Sequence, residues 1–135
     1  MLNLALILIA DDQPLIALDL AFAVEDAGGL VAGPTASVKE SLALINAHPV
    51  AGAILDVNLV DGDISPVAEH LIGLGVPIIL QTGIGLPNEL AARFPDLVVH
   101  IKPCLSANLV LELEAMIADR QASLKSAITS DDIVG

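Results

Sequence analysis

The chain has 135 residues; 55% are hydrophobic, yet only Phe22 and Phe94 are aromatic, and 17 acidic residues against 5 basic ones give a formal net charge of −12. Such a charge argues against binding nucleic acid, which needs clustered Lys and Arg, and against an anionic membrane surface; a cation or a basic protein surface is the natural partner. The length fits one domain with a single core of Ala, Val, Ile and Leu, and Cys104, the only cysteine, rules out an internal disulfide.

The first ten residues are apolar but lack a basic start and run straight into Asp11-Asp12, unlike a signal peptide. No later stretch approaches the ~18 uninterrupted apolar residues of a membrane helix. The expectation is a soluble, cytoplasmic protein. Leu2 to Ala10 contains the first strand, centred on Leu6-Ile7-Leu8-Ile9. Asp11-Asp12-Gln13-Pro14 breaks it and opens a helix to about Glu25, along which Leu15, Leu18 and Phe22 recur at helical spacing. Gly28-Gly29 stops that helix, and Leu30 to Gly33 is a short second strand. Ser37, with Glu40 three residues on, makes a capping-box pattern for a helix through Ala47. The third strand, Gly52 to Leu55, has no polar face and ends in Asp56. Such a run suits a strand covered on both sides, as in a parallel sheet. A turn over 57–62 and a loop over 62–66 lead to a third helix, Val67 to Ile72. Val76 to Gln81 is the fourth strand, and Thr82-Gly83-Ile84-Gly85 follows it. A short helix from Pro87 to Arg93 precedes the fifth strand, Leu97 to Ile101, which ends in Lys102-Pro103. The last helix begins near Ser106, with Leu109, Leu113, Met116 and Ile117 as its stripe.

Five strands alternating with five helices imply an α/β fold, a parallel sheet with helices on both faces. The domain is placed at 1–120. Residues 121–135 lose periodicity and read as a loose C-terminal tail, with no output domain.

The polar interruptions fall at equivalent places. Asp11 and Asp12 follow the first strand, Asp56 ends the third, Thr82 follows the fourth and Lys102 ends the fifth. In a parallel sheet these ends share one edge, where such folds bind ligands. Each residue alone has a plainer role as cap, turn former or solvated charge. Together they assemble three carboxylates, a hydroxyl and an ammonium. Crowded carboxylates repel, and a divalent cation relieves that; an all-oxygen set suits Mg²⁺ or Mn²⁺. With a metal holding a phosphoryl oxygen, a free carboxylate can attack phosphorus to give an acyl phosphate. Lys102 would balance charge on the transferred group, and Thr82 would donate a hydrogen bond to it.

The pattern Asp11-Asp12, Asp56, Thr82 and Lys102-Pro103 resembles the receiver domain of two-component response regulators, over roughly residues 4 to 118. The resemblance implies a flavodoxin-like (βα)5 three-layer sandwich of strand order 2-1-3-4-5. It implies that Asp56 is phosphorylated by a histidine kinase and that Asp11, Asp12 and Asp56 bind Mg²⁺ with the backbone carbonyl of Asn58. Thr82 and Lys102 would then contact the phosphoryl group. The implied partners are a sensor histidine kinase or phosphotransfer protein and a downstream protein target, with no nucleic acid and no membrane. Such a domain promotes only its own phosphoryl transfer and dephosphorylation and is otherwise not an enzyme. Asp56-Val57-Asn58-Leu59, Pro66-Val67-Ala68, Pro77 and Thr82-Gly83 with Gly85 are similar to a subgroup of single-domain receivers. Gln81 departs from it by standing where a small residue is usual, and Val99 stands where most receivers carry a switching aromatic. The switch is therefore expected in the Gly83-Ile84-Gly85 loop and the helix up to Arg93.

Two alternatives fit the sequence less well. A haloacid-dehalogenase-like phosphatase would need a second Asp where Asn58 stands, and a cap domain. A receiver-like scaffold that is never phosphorylated would have no use for all five polar positions. The scattered His48, His70 and His100 lack metal-ligand spacing.

Overall fold

The computed structural model describes residues 1–134, and the side chains of 1–125. In chain order the elements are β1 (Leu6–Ala10), α1 (Pro14–Asp26), β2 (Leu30–Thr35), α2 (Val38–Ala47), β3 (Gly52–Asp56), β4 (Asn58–Leu59), β5 (Gly62–Asp63), α3 (Ser65–Gly73), β6 (Ile78–Thr82), α4 (Asn88–Arg93), β7 (Val98–Ile101) and α5 (Ser106–Val134). Five strands form one parallel sheet in the order β2-β1-β3-β6-β7, which is 2-1-3-4-5 when only that sheet is counted. This is the flavodoxin-like three-layer sandwich.

Strand parity builds the two cores. Side chains alternate across a sheet, so Leu8, Ala10, Ala53, Leu55, Ile78 and Leu80 face one side. There they meet Ile45 of α2, Val67, Ala68 and Leu71 of α3 and Leu90 of α4. Ile7, Ile9, Ile54 and Ile79 face the other side, against Leu20, Ala21 and Val24 of α1 and Leu109, Val110, Leu113 and Ile117 of α5. With both faces covered, β3 and β6 are buried throughout.

Four local expectations need correction. Leu15, Leu18 and Phe22 are not the buried face of α1; all three are exposed, and Ala17, Leu20, Ala21 and Val24 are buried instead. The helix is apolar almost all round, so periodicity offers two stripes and packing chooses the one with small residues that let α1 approach the sheet. The turn and loop over 57–66 contain an antiparallel ribbon, β4 with β5, and α3 starts at Ser65. The second strand runs on to Thr35. The helical backbone of α5 continues to Val134, whereas a loose tail over 121–135 is the sequence expectation; no Gly or Pro interrupts 104–134 to stop it. Side chains of 126–134 and all of Gly135 lie outside the described residues.

The start of α2 follows the capping pattern, with Ser37 Oγ accepting from the Glu40 N–H at 3.0 Å. A second cap arrives from the β4–β5 turn. The Asp61 carboxylate accepts the N–H groups of Val38 at 2.6 Å and Lys39 at 3.1 Å. The Val38 bond above all holds the Asp61 carboxyl below its usual range. The segment that follows Asp56 is thereby tied to α2. Among the described residues no helix is long and apolar enough to cross a membrane.

Candidate functional site

The same parity that sorts the core sets the site. Asp11 continues the row of Ile7 and Ile9, Asp56 that of Ile54, and Gln81 that of Ile79, while Asp56 and Gln81 are register partners. Gln81 is paired with His100 on β7, so Lys102 lies two residues further along the same row. Four polar side chains thus leave the sheet on its α1/α5 side at the carboxyl ends of the strands.

Lys102 Nζ is the hub. It donates to Gln13 Oε1 at 3.0 Å, Asp56 Oδ2 at 3.1 Å and Asp11 Oδ2 at 3.2 Å. An ammonium has three donors, and all three are used. The Asp11 carboxylate also accepts Gln81 Nε2 at 3.1 Å on Oδ2 and the Gln13 N–H at 2.9 Å on Oδ1. Asp56 Oδ1 accepts a long bond, 3.4 Å, from the Asn58 N–H. The Asp11 side chain is fully buried, Asp56 nearly so, and Lys102 is 15% exposed.

Burial raises the Asp56 pKa above its usual 3.8. The Lys102 hydrogen bond opposes the rise and the neighbouring Asp11 charge adds to it. At Lys102, desolvation pulls the pKa down, but the bond to Asp56 and the charges of Asp11 and Asp56 outweigh it, and the net shift is upward. Lys102 therefore stays charged at neutral pH, and its bond to Asp56 is what opposes the desolvation of that carboxylate.

Asp11, Asp12 and Asp56 each offer an oxygen within 4.8 Å of the others, with Asp12 the exposed member. Oxygens sharing one Mg²⁺ stand at most ~4.2 Å apart, at ~2.1 Å each from the ion. The cluster fits such an ion with little or no closing, and its hard, all-oxygen donors match Mg²⁺ or Mn²⁺.

Four of the five residues placed at strand ends by the sequence come together. Thr82 has the opposite parity, in the row of Ile78 and Leu80, and its hydroxyl is turned into its own loop. Oγ1 donates to the Gly85 carbonyl at 2.9 Å and accepts the N–H groups of Gly85 at 3.2 Å and Ile84 at 3.3 Å. Gly85 has φ +106°, which a side chain would resist. Asn58 is exposed at the start of β4. The Lys102–Pro103 peptide is cis. Val99 is half-buried against the α2–α4 core, and His100 pairs with Glu112 at 3.1 Å. Sequence reasoning missed two site residues, Gln13 and Gln81. Counting parity back from Lys102 and Asp56 would have found Gln81; Gln13 is legible only as a polar neighbour of Asp12.

A parallel sheet of this order, with buried acids and a lysine at its carboxyl edge, defines a receiver-type domain. No protein-family model matches the chain, and no curated protein sequence matches it. Solved structures do. SdrG from Sphingomonas melonis Fr1 is 33% identical with a TM-score of 0.71, over 87% of this chain and 99% of SdrG. A response regulator receiver protein from Sinorhizobium medicae WSM419 is 26% identical with a TM-score of 0.73, over 89% of this chain and 99% of that one. The response regulator PhyR from Brucella abortus is 26% identical with a TM-score of 0.69, over 90% of this chain but 51% of its own length. The chain thus spans about half of PhyR. It belongs to the receiver family of two-component response regulators.

Proposed function

We propose that the chain is a phosphoacceptor. Asp56 takes a phosphoryl group from a sensor histidine kinase or a phosphotransfer protein, in a step dependent on Mg²⁺ or Mn²⁺, and the signal passes on by protein contact. One observation carries this reading: a buried strand-end carboxylate is bonded to an ammonium and has an oxygen within 4.8 Å of those of two more carboxylates. An Asp56 carboxylate oxygen attacks phosphorus with its lone pair. The P–N bond to the donor imidazole breaks, and its electron pair leaves with the ring. Asp11, Asp12 and Asp56, with the Asn58 carbonyl, would hold the cation, which when bound neutralises phosphoryl oxygens. Lys102 releases the Asp56 carboxylate and meets the negative oxygens of the acyl phosphate. The donor protein would dock on the exposed apolar side chains of α1, since Leu15 borders the same depression as Gln81 and Lys102.

The test is transfer from a cognate kinase autophosphorylated with radiolabelled ATP. Label should reach the wild type and be lost from Asp56→Ala. Label that survives in Asp56→Ala would remove the assignment.

The way out of the site follows from Thr82. Its hydroxyl must leave Gly85 to reach a phosphoryl oxygen, and the loop it now closes would open or be re-ordered. Val99, with one stiff torsion, is a poor relay. Hydrogen exchange over 83–93 should therefore change on adding beryllofluoride and Mg²⁺, the kind of mimic used for the BeF3-activated conformation of SdrG. Equal protection with and without the mimic would place the switch elsewhere.

A further inference from the structure

Gln81 is a buried polar side chain, 2% exposed, and burying a polar group is costly unless it is hydrogen-bonded. Its amide nitrogen has one acceptor here, Asp11 Oδ2 at 3.1 Å. The lone pairs of Asp11 show what that bond does. Oδ2 is filled by Gln81 and Lys102, and Oδ1 carries the Gln13 N–H. A carboxylate oxygen accepts two bonds in its plane, so the free lone pair of Asp11 is on Oδ1. The two donors on Oδ2 differ in permanence. Lys102 is the long, partly exposed partner of three acceptors and is the group drawn toward a phosphoryl oxygen. Gln81 is held in β6 as the register partner of Asp56, and among the described residues its amide donates to Asp11.

We infer that Gln81 is a positioning residue, which fixes the rotation of the Asp11 carboxylate so that Oδ1 stays turned to the cation when Lys102 moves. This rests on the reading of Asp11, Asp12 and Asp56 as a divalent-cation site. Partners that orient a metal ligand are typically worth about 10- to 100-fold in affinity. A merely structural Gln81, satisfying a buried carboxylate, would change melting temperature and leave cation affinity alone.

The experiment is Mg²⁺ titration by amide NMR at residues around 11, 12 and 56, with melting temperature measured in metal-free buffer. The variants are Gln81→Met, which keeps the length and loses the donor, and Gln81→Ala, in case methionine disturbs the strand. Both should bind Mg²⁺ about tenfold more weakly than wild type. In an Asp11→Asn background the substitution at 81 should add nothing, because the ligand it positions is gone. If wild type binds and both variants match it or bind more tightly, the proposal falls and the cation site stands. If wild type itself binds no Mg²⁺, the cation reading fails and takes the proposal with it.

Discussion

Incubated with acetyl phosphate and Mg²⁺, the wild-type chain should gain the mass of a single phosphoryl group, and Asp56→Asn should gain none. The Asp56–phosphorus bond forms as the phosphorus–oxygen bond to acetate breaks, so no kinase is needed and docking cannot confound the result. Three features set the outcome. Asp56 is the carboxylate that shares Lys102 with Asp11 at a strand tip. Asp11 is saturated on Oδ2 and fully buried, which keeps it from competing as nucleophile. Asp12 is exposed and makes no contact with Lys102 that would stabilise its adduct. Loss of one charge-stabilising donor typically costs about a hundredfold or more, so Lys102→Met should be labelled about a hundredfold more slowly. Chelating Mg²⁺ should stop labelling in all variants. Intact-mass spectrometry reads the stoichiometry, and hydroxylamine should remove the adduct because an acyl phosphate is labile to it. A hydroxylamine-stable adduct on Ser or Thr, or undiminished labelling of Asp56→Asn, would contradict the mechanism.

The parts of this site that the sequence reveals are those that interrupt an apolar pattern. Asp56 closes a run with no polar face, and Asp11-Asp12 and Lys102 end two other strands; a parallel sheet then brings them to one edge without knowledge of any contact. What stays hidden depends on packing or on very short range. The ribbon of β4 with β5 has two residues per strand, too few for any period, yet its Asp61 caps α2 across more than twenty residues of chain. The face of α1 cannot be chosen from periodicity when nearly every position is apolar. Gln81 looks like a departure from a family pattern until parity sets it beside Asp56, where its amide has a partner. Thr82 is at the predicted strand end, but a hydroxyl's direction is decided by the loop that follows, and here that loop holds it.

Lys102→Met should destabilise the fold by about 3 kcal/mol at pH 7, the lower end of what removing one partner from a buried ion pair costs, because Lys102 keeps some solvent contact. The variant leaves two buried carboxylates, Asp11 and Asp56, without the cation between them. The sign of the pH dependence distinguishes this from lost packing. Asp56 already has a folded-state pKa above its ordinary 3.8, and the Lys102 bond is what restrains it. With that bond gone the pKa rises further. A raised folded-state carboxyl binds more protons in the native state than in the unfolded one, so stability increases as pH falls through the folded pKa toward the unfolded value. The deficit of Lys102→Met should therefore be larger at pH 7 than at pH 5, shrinking as Asp56 protonates on acidification. The lysine's own raised pKa acts at the other end. Its contribution is present throughout the neutral range in wild type and is lost only as pH climbs through the folded-state pKa, above the ordinary 10.5. Two further arms fix the cause. Millimolar Mg²⁺ should stabilise the variant more than wild type, since the ion replaces the missing positive charge and binds only the folded state. Adding Asp56→Asn to Lys102→Met should recover most of the loss at neutral pH, because one of the two repelling charges is gone. Chemical denaturation at pH 7 and pH 5, with and without Mg²⁺, reads all of these. A loss that is the same at both pH values and indifferent to Mg²⁺ would show that the aliphatic stem of Lys102, not its charge, supports this edge of the sheet.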